Sequence, residues 1–208
     1  MQLPDSYLWD VFHSRCRLRT GTGEDVVEVV AIDPLVLPSG RVVVGDPLVD
    51  IYYAEPLSRG VPAGRYSVRV ATAAGQGGVL ATLVRLLPGT PVRWQPTEPA
   101  CHGVDSGTSG LMDHELERRF AKKSEEWFER HLNRCTDALD ADGLWANRRL
   151  DRETGANLLL FRTATGDGHY PSFWGLSEGG EAICLVTDFF LGDGTGDLVV
   201  DRGPREDA

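Results

Sequence analysis

The sequence predicts an α+β protein: a mainly antiparallel sheet, single or split into two packed sheets, with one long amphipathic helix against it. Three observations carry this. Short runs of Val, Leu and Ile recur along the chain, divided by Gly- and Pro-rich turns about every 8 to 12 residues. Residues 65–70 alternate strictly, with Tyr66, Val68 and Val70 on one side and Arg65, Ser67 and Arg69 on the other. That is the pattern of a strand with one buried and one wet face. A single stretch has helical period: Leu116 and Phe120 are four apart, and Phe128, Leu132, Cys135 and Leu139 fall at i, i+4, i+7 and i+11.

Taken in order, residues 8–12 hold Leu8, Trp9, Val11 and Phe12, a short helix or an arm docked on the body. Gly21-Thr22-Gly23 breaks it. Residues 26–32 are β-branched and predict a strand. Residues 35–37 and 41–44 flank Pro38-Ser39-Gly40, which reads as a hairpin. Prolines and glycines make residues 50–64 a connecting loop. Gly75-Gln76-Gly77-Gly78 turns the chain from the strand at 65–70 into another at 79–87. Pro88, Pro91, Pro96 and Pro99 stiffen a loop around Trp94, and residues 101–105 form a short strand.

Ser106 to Gly110 is a turn of small residues, and Asp113 is a natural helix N-cap. The helix that follows spans about six or seven turns and stops at Asp142-Gly143. Glu126 and Arg130 lie four apart on its polar face, in the favourable order for an ion pair. Residues 156–163 and 182–190 are strands, the second entered through the turn Ser177-Glu178-Gly179-Gly180-Glu181. The domain plan is an N-terminal arm at 1–25, a single α+β domain at 26–191 and a flexible acidic tail at 192–208.

Composition narrows the function classes. Acids outnumber Lys and Arg by 31 to 21, a net charge of −10, which disfavours nucleic acid and anionic membrane surfaces as partners. No run of about 18 apolar residues offers a membrane span, and no basic stretch followed by an apolar one opens the chain. Cys16, Cys101, Cys135 and Cys184 are far apart, and the expectation is free thiols in the cytoplasm. His13 with Cys16, and His131 with Cys135, have zinc-compatible spacing, yet each pair lacks the second pair a closed site needs; no metal is expected.

Complete catalytic motifs do not occur. His114-Glu115 opens like a zincin helix, but Arg118 stands where the second histidine ligand must be. Asp193, Thr195 and Asp197 imitate a calcium loop, but Leu198 replaces its glycine and Pro204 its bidentate glutamate. No glycine loop carries a dinucleotide fingerprint or a Walker lysine. Gly107-Thr108-Ser109-Gly110-Leu111 is one residue short of a hydrolase elbow; His102 or His169 would have to serve as its base, and a serine in a plain polar turn is the expected reading.

The richest stretch is Gly166-Asp167-Gly168-His169-Tyr170-Pro171-Ser172-Phe173-Trp174-Gly175. Its glycines permit a tight turn, Pro171 demands a sheet edge or a bulge, and its rings lie next to polar groups, as in ligand sites. Asp105, Ser106, Asp113, Asp167, His169, Tyr170, Trp174 and Asp188 are the candidate ligand-binding residues. Each acid also has a local role available, as turn former, cap or strand end.

Val104-Asp105-Ser106-Gly107 leading to Met112-Asp113, then Gly166-Asp167-Gly168-His169-Tyr170-Pro171, then Leu185-Val186-Thr187-Asp188-Phe189 follow one another in an order that resembles a bacterial family known as domain of unknown function 4241. Gly40-Arg41-Val42-Val43-Val44-Gly45-Asp46-Pro47-Leu48 and Val61-Pro62-Ala63-Gly64-Arg65-Tyr66 agree with it. The resemblance covers about residues 26–191 and implies one fold unit built around these loops, with no catalytic assignment. Ser109 and Leu111 depart from it, since bulkier residues are expected before Asp113.

These readings lead to a cytoplasmic ligand-binding or protein-interaction module with an acidic and aromatic loop site. Its partner is an unknown small molecule or protein, and its cofactor is unknown. The alternative is a hydrolase with paired carboxylates, using Asp105 or Asp167 as base or metal ligand and His169 as proton donor.

Overall fold

The computed structural model describes residues 7–21, 23–120, 122–189 and 196–204. The elements run α1 (Tyr7–His13), β1 (Ser14–Thr20), β2 (Gly23–Leu37), β3 (Val42–Gly45), β4 (Gly64–Ala73), β5 (Val79–Arg85), β6 (Arg93–Val104) and β7 (Thr108–Asp113). They continue α2 (Glu115–Phe120), α3 (Glu125–Asp142), β8 (Trp145–Arg149), β9 (Asn157–Arg162), β10 (Gly168–Leu176), β11 (Ala182–Asp188) and β12 (Gly196–Pro204). Eight strands form one sheet in the order β12-β1-β2-β4-β5-β11-β10-β6, and four form a second in the order β3-β7-β9-β8. Every ladder between these strands is antiparallel. The α+β class is as predicted, with the sheet divided in two.

The layers follow from the two-residue period of a strand. On β9, Leu159 and Phe161 point into the core between the sheets, while Leu158 and Leu160 point the other way, under α2 and α3. On β11, Leu185 joins the inter-sheet core, and Cys184 and Val186 face the layer covered by α1. The molecule is thus α1, large sheet, small sheet, then α2 and α3. Strands buried on both faces read as near-continuous apolar runs, which is why residues 79–84 and 158–161 lack alternation. Full burial of side chains such as Trp174 and Phe161 stabilises the inter-sheet layer by about 2–3 kcal/mol each.

Several local expectations change. The predicted long helix is two: α2 ends at Phe120, and α3 starts afresh after Ser124, whose hydroxyl accepts from Trp127 N–H. A hydroxyl cap satisfies an end amide, so a new start at Ser124 is stable even though the apolar spacing runs across the gap. Residues 35–37 and 41–44 do not form a hairpin. β2 runs on to Leu37 and pairs with β4, while β3 leaves for the small sheet and pairs with β7. Gly40 has φ +70°, and a Cβ there would run into Val61 O, so the crossover is closed by a residue without a side chain.

The segment at 93–104 is one edge strand, and residues 108–113, expected in part as a turn, are the strand β7. β1 and β8 are strands where no strand is expected. Pro171 does sit beside a bulge, between it and Phe173 in the pairing of β10 with β6. In the part read as a loose tail, β12 pairs with β1 along the sheet edge; residues 190–195 and 205–208 lie outside the described residues, as do residues 1–6 of the arm and Thr22.

Candidate functional site

The polar loops gather at one end of the molecule, around Gly107. Its φ of +63° belongs to the left-handed region, which favours glycine. Gly107 N–H donates to Asp167 Oδ1 (2.8 Å), and Gly107 O accepts from Thr163 N–H (3.0 Å). The loop after β6 is therefore tied on both sides to the turn between β9 and β10. Tyr170, buried on β10, donates its hydroxyl to Gly166 O (2.6 Å) and sits 2.7 Å from Thr165 Oγ1.

From beneath, the loop is held by a residue absent from the sequence-based candidates. Asp46 is 1% exposed, and its carboxylate accepts from Asp105 N–H (2.9 Å), Ser106 N–H (2.8 Å), Ser106 Oγ–H (2.7 Å) and Leu48 N–H (2.9 Å). Burying a carboxylate is tolerable only when its lone pairs are met, and here four donors meet them. The bond to Leu48 N–H, two residues on, is the turn an Asp before Pro commonly makes; Gly45-Asp46-Pro47 carried that signal. The bonds to residues 105 and 106 span some sixty positions, and no local pattern announces them.

With its backbone fastened, the loop turns the Asp105 side chain outward, where it makes no hydrogen bond among the described residues. Asp167, His169 and Asp50 are also exposed around it. Asp50 lies close enough that partial loss of solvent first, and then the negative charges of Asp46 and Asp105, raise its carboxyl above the usual range, against the lowering effect of the Asp46 N–H that it accepts (3.2 Å). The structure thus brings Asp105, Ser106, Asp167, His169 and Tyr170 together.

It does not bring the other three candidates there. Asp113 ends β7 about 17 Å from Thr108 at strand rise. It is fully buried, accepting from Ser39 N–H and Ser39 Oγ–H (both 2.9 Å) and from Glu115 N–H (2.8 Å), which ties the 38–40 turn to the start of α2. Asp188 is buried under α1, where Tyr7 donates to its Oδ2 (2.9 Å); burial and that carboxylate push the Tyr7 hydroxyl well up. Trp174 is in the inter-sheet core, and its edge floors a shallow cleft of about 320 Å³ with Ser58, Arg59, Gln95, Pro96 and Glu98.

Ser109 and His102 do meet, Oγ to Nε2 at 2.8 Å, but across the two sheets and out of solvent reach for the serine, which is 1% exposed. Burial lowers the His102 imidazole to about 4, against the opposing pull of the Tyr170 backbone and Asp46, so the ring is neutral at pH 7. The pair is a polar link between sheets rather than an exposed nucleophile and base.

The four cysteines are free thiols. Cys135 Sγ lies 3.6 Å from His131 Nε2, which also bonds Tyr52 Oη (2.6 Å); burial raises the thiol to about 11, so it stays protonated. Among the described residues, no three His, Cys, Asp or Glu side chains are arranged to hold a metal ion, and no helix is long and apolar enough to cross a membrane.

Two antiparallel sheets stacked between helical layers, with a polar loop cluster at one end, define a class: an α+β protein of two packed sheets. Residues 35–187 match the model of a family described as a protein of unknown function (DUF4241), and the chain belongs to that family. No curated protein and no solved structure matches it.

Proposed function

We propose that this protein is a protein-interaction module that presents the rim Asp50, Asp105, Asp167 and His169 to a partner rich in Arg or Lys. The observation that carries the reading is the Asp46 carboxylate under the 105–106 loop. A surface loop anchored by a buried acid is pre-organised, so little entropy is lost when it binds. The exposed carboxylates are of one sign, and the chain as a whole is at −10, which favours capture of a basic surface at low salt.

The test is binding of basic peptides across an ionic-strength series, with wild type and Asp105→Asn/Asp167→Asn compared. Salt-sensitive binding that the double variant loses supports the module. Binding unaltered by the double variant, or no binding to any basic peptide, defeats it.

The hydrolase alternative draws on one feature, the approach of Asp105 and Asp167 to either side of Gly107. It needs both acids to face one substrate, with His169 as proton donor. It predicts stabilisation by a divalent cation that Asp167→Asn abolishes, whereas the interaction reading predicts no cation response.

A further inference from the structure

A second cleft, of about 200 Å³, opens on the molecule where the small sheet meets β2 and β4. Its walls carry Asp33, Pro34, Arg65, Asn147, Arg149 and Asn157. The floor is built. Asn157 is 3% exposed; its Nδ2 donates to Pro34 O (3.0 Å) and Asn147 Oδ1 (2.8 Å), and its Oδ1 accepts from Val36 N–H (2.9 Å). These bonds lock β9 of the small sheet against a bulge in β2, where the pairing with β4 skips from Ile32 to Leu35. Bulges of this kind re-aim side chains, and they are common beside binding sites.

The rim is rich in donors. Among the described residues neither Arg65 nor Arg149 has a carboxylate within ion-pair distance, in a chain where acids outnumber bases 31 to 21. Arg149 spends one nitrogen on Arg152 O (3.0 Å), which holds its side chain in place and leaves the rest of its fork available. Because Asn147 Oδ1 is taken by Asn157, its amide nitrogen is left to donate. Asp33 is the one anionic group in the lining.

We propose that this cleft binds a small molecule through a carboxylate or phosphate group, held by Arg65, Arg149 and the Asn147 amide. Asp33 accepts from a hydroxyl or ammonium on the same ligand. Guanidinium forks match planar and tetrahedral oxyanions with paired hydrogen bonds. The volume holds about six or seven waters at roughly 30 Å³ each, which suits a small metabolite and is below the range for drug-sized ligands. This site is remote from the acidic rim and does not depend on its role.

The probes are inorganic phosphate and citrate, each titrated into the full chain against sodium chloride at matched ionic strength, by thermal shift and calorimetry. A rise in melting temperature above the chloride control with either probe is expected, and the tighter probe identifies the oxyanion class. Arg65→Gln and Arg149→Gln should each weaken binding by about tenfold or more, the loss of one charge-assisted contact. Arg65→Lys tests the fork while keeping the charge, and should lose affinity too. If a glutamine variant fails to fold, loss of affinity in the other one together with a shift of the Asn147 side-chain amide resonance on titration carries the test. No response beyond chloride, or equal responses in the folded variants, overturns the proposal.

Discussion

Asp46 shows how much one buried side chain can organise. Among the described residues, its carboxylate is the acceptor for three backbone amides and one hydroxyl drawn from two distant loops. Removing it leaves those donors inside the protein without partners, and each such loss costs more than the hydrogen bond itself. Asp46→Ala should therefore destabilise by about 3 kcal/mol or more, read by urea denaturation. Asp167, exposed and accepting a single bond from Gly107, is replaceable by water; Asp167→Ala should cost about 1 kcal/mol or less in the same measurement. Similar costs for the two variants would remove the distinction between anchor and rim. In the sequence Asp105 and Asp167 are conspicuous, as turn acids near glycines. Asp46 is not, because most of its partners are far along the chain.

At the scale of the element, the break between α2 and α3 depends on a cap. Apolar spacing continues from Leu116 and Phe120 to Cys135 and Leu139, and all four are buried in one cluster on the small sheet. The pattern is right about which face is inward, and silent about continuity. Ser124 ends the ambiguity by accepting from Trp127 N–H (3.3 Å). Ser124→Ala should lower stability by about 1 kcal/mol. Unchanged urea stability would show that the tertiary contacts of α3 start the helix alone. Gly40 sets the other crossover. With positive φ and Val61 O where a Cβ would sit, Gly40→Ala should destabilise by about 2 kcal/mol or more, or prevent soluble expression. A neutral outcome would mean that the 38–40 and 61–62 loops can part freely.

Over the whole molecule, neutral buried histidines link stability to pH. His131, 3% exposed on the buried face of α3, is pushed down to about 4 by burial and then by Arg148 and Arg134; His102, between the sheets, is also lowered to about 4, chiefly by burial. Unfolded histidine titrates near 6.5, so between about 6.5 and 4 the unfolded chain binds more protons than the folded one. Stability is full above that window and falls as pH drops through it, by roughly 2–3 kcal/mol per histidine. Chemical denaturation at pH 7, 5.5 and 4.5 checks this. A flat profile would show that both rings take up a proton as readily in the fold as in the unfolded chain.

The strand content, the antiparallel habit, the inward face of the helical region and the turn at Gly166-Asp167 were legible in the chain alone, because period and turn chemistry are local properties. Division into two sheets was not: strands buried on both faces lose their alternation, and β3 leaves its chain neighbour β2 to pair with β7. The tertiary structure alone decided that Asp105, Ser106, Asp167, His169 and Tyr170 meet, while Asp113, Trp174 and Asp188 are built into separate interiors. Which polar groups share a surface depends on contacts between residues remote in sequence, and those form only when the layers close.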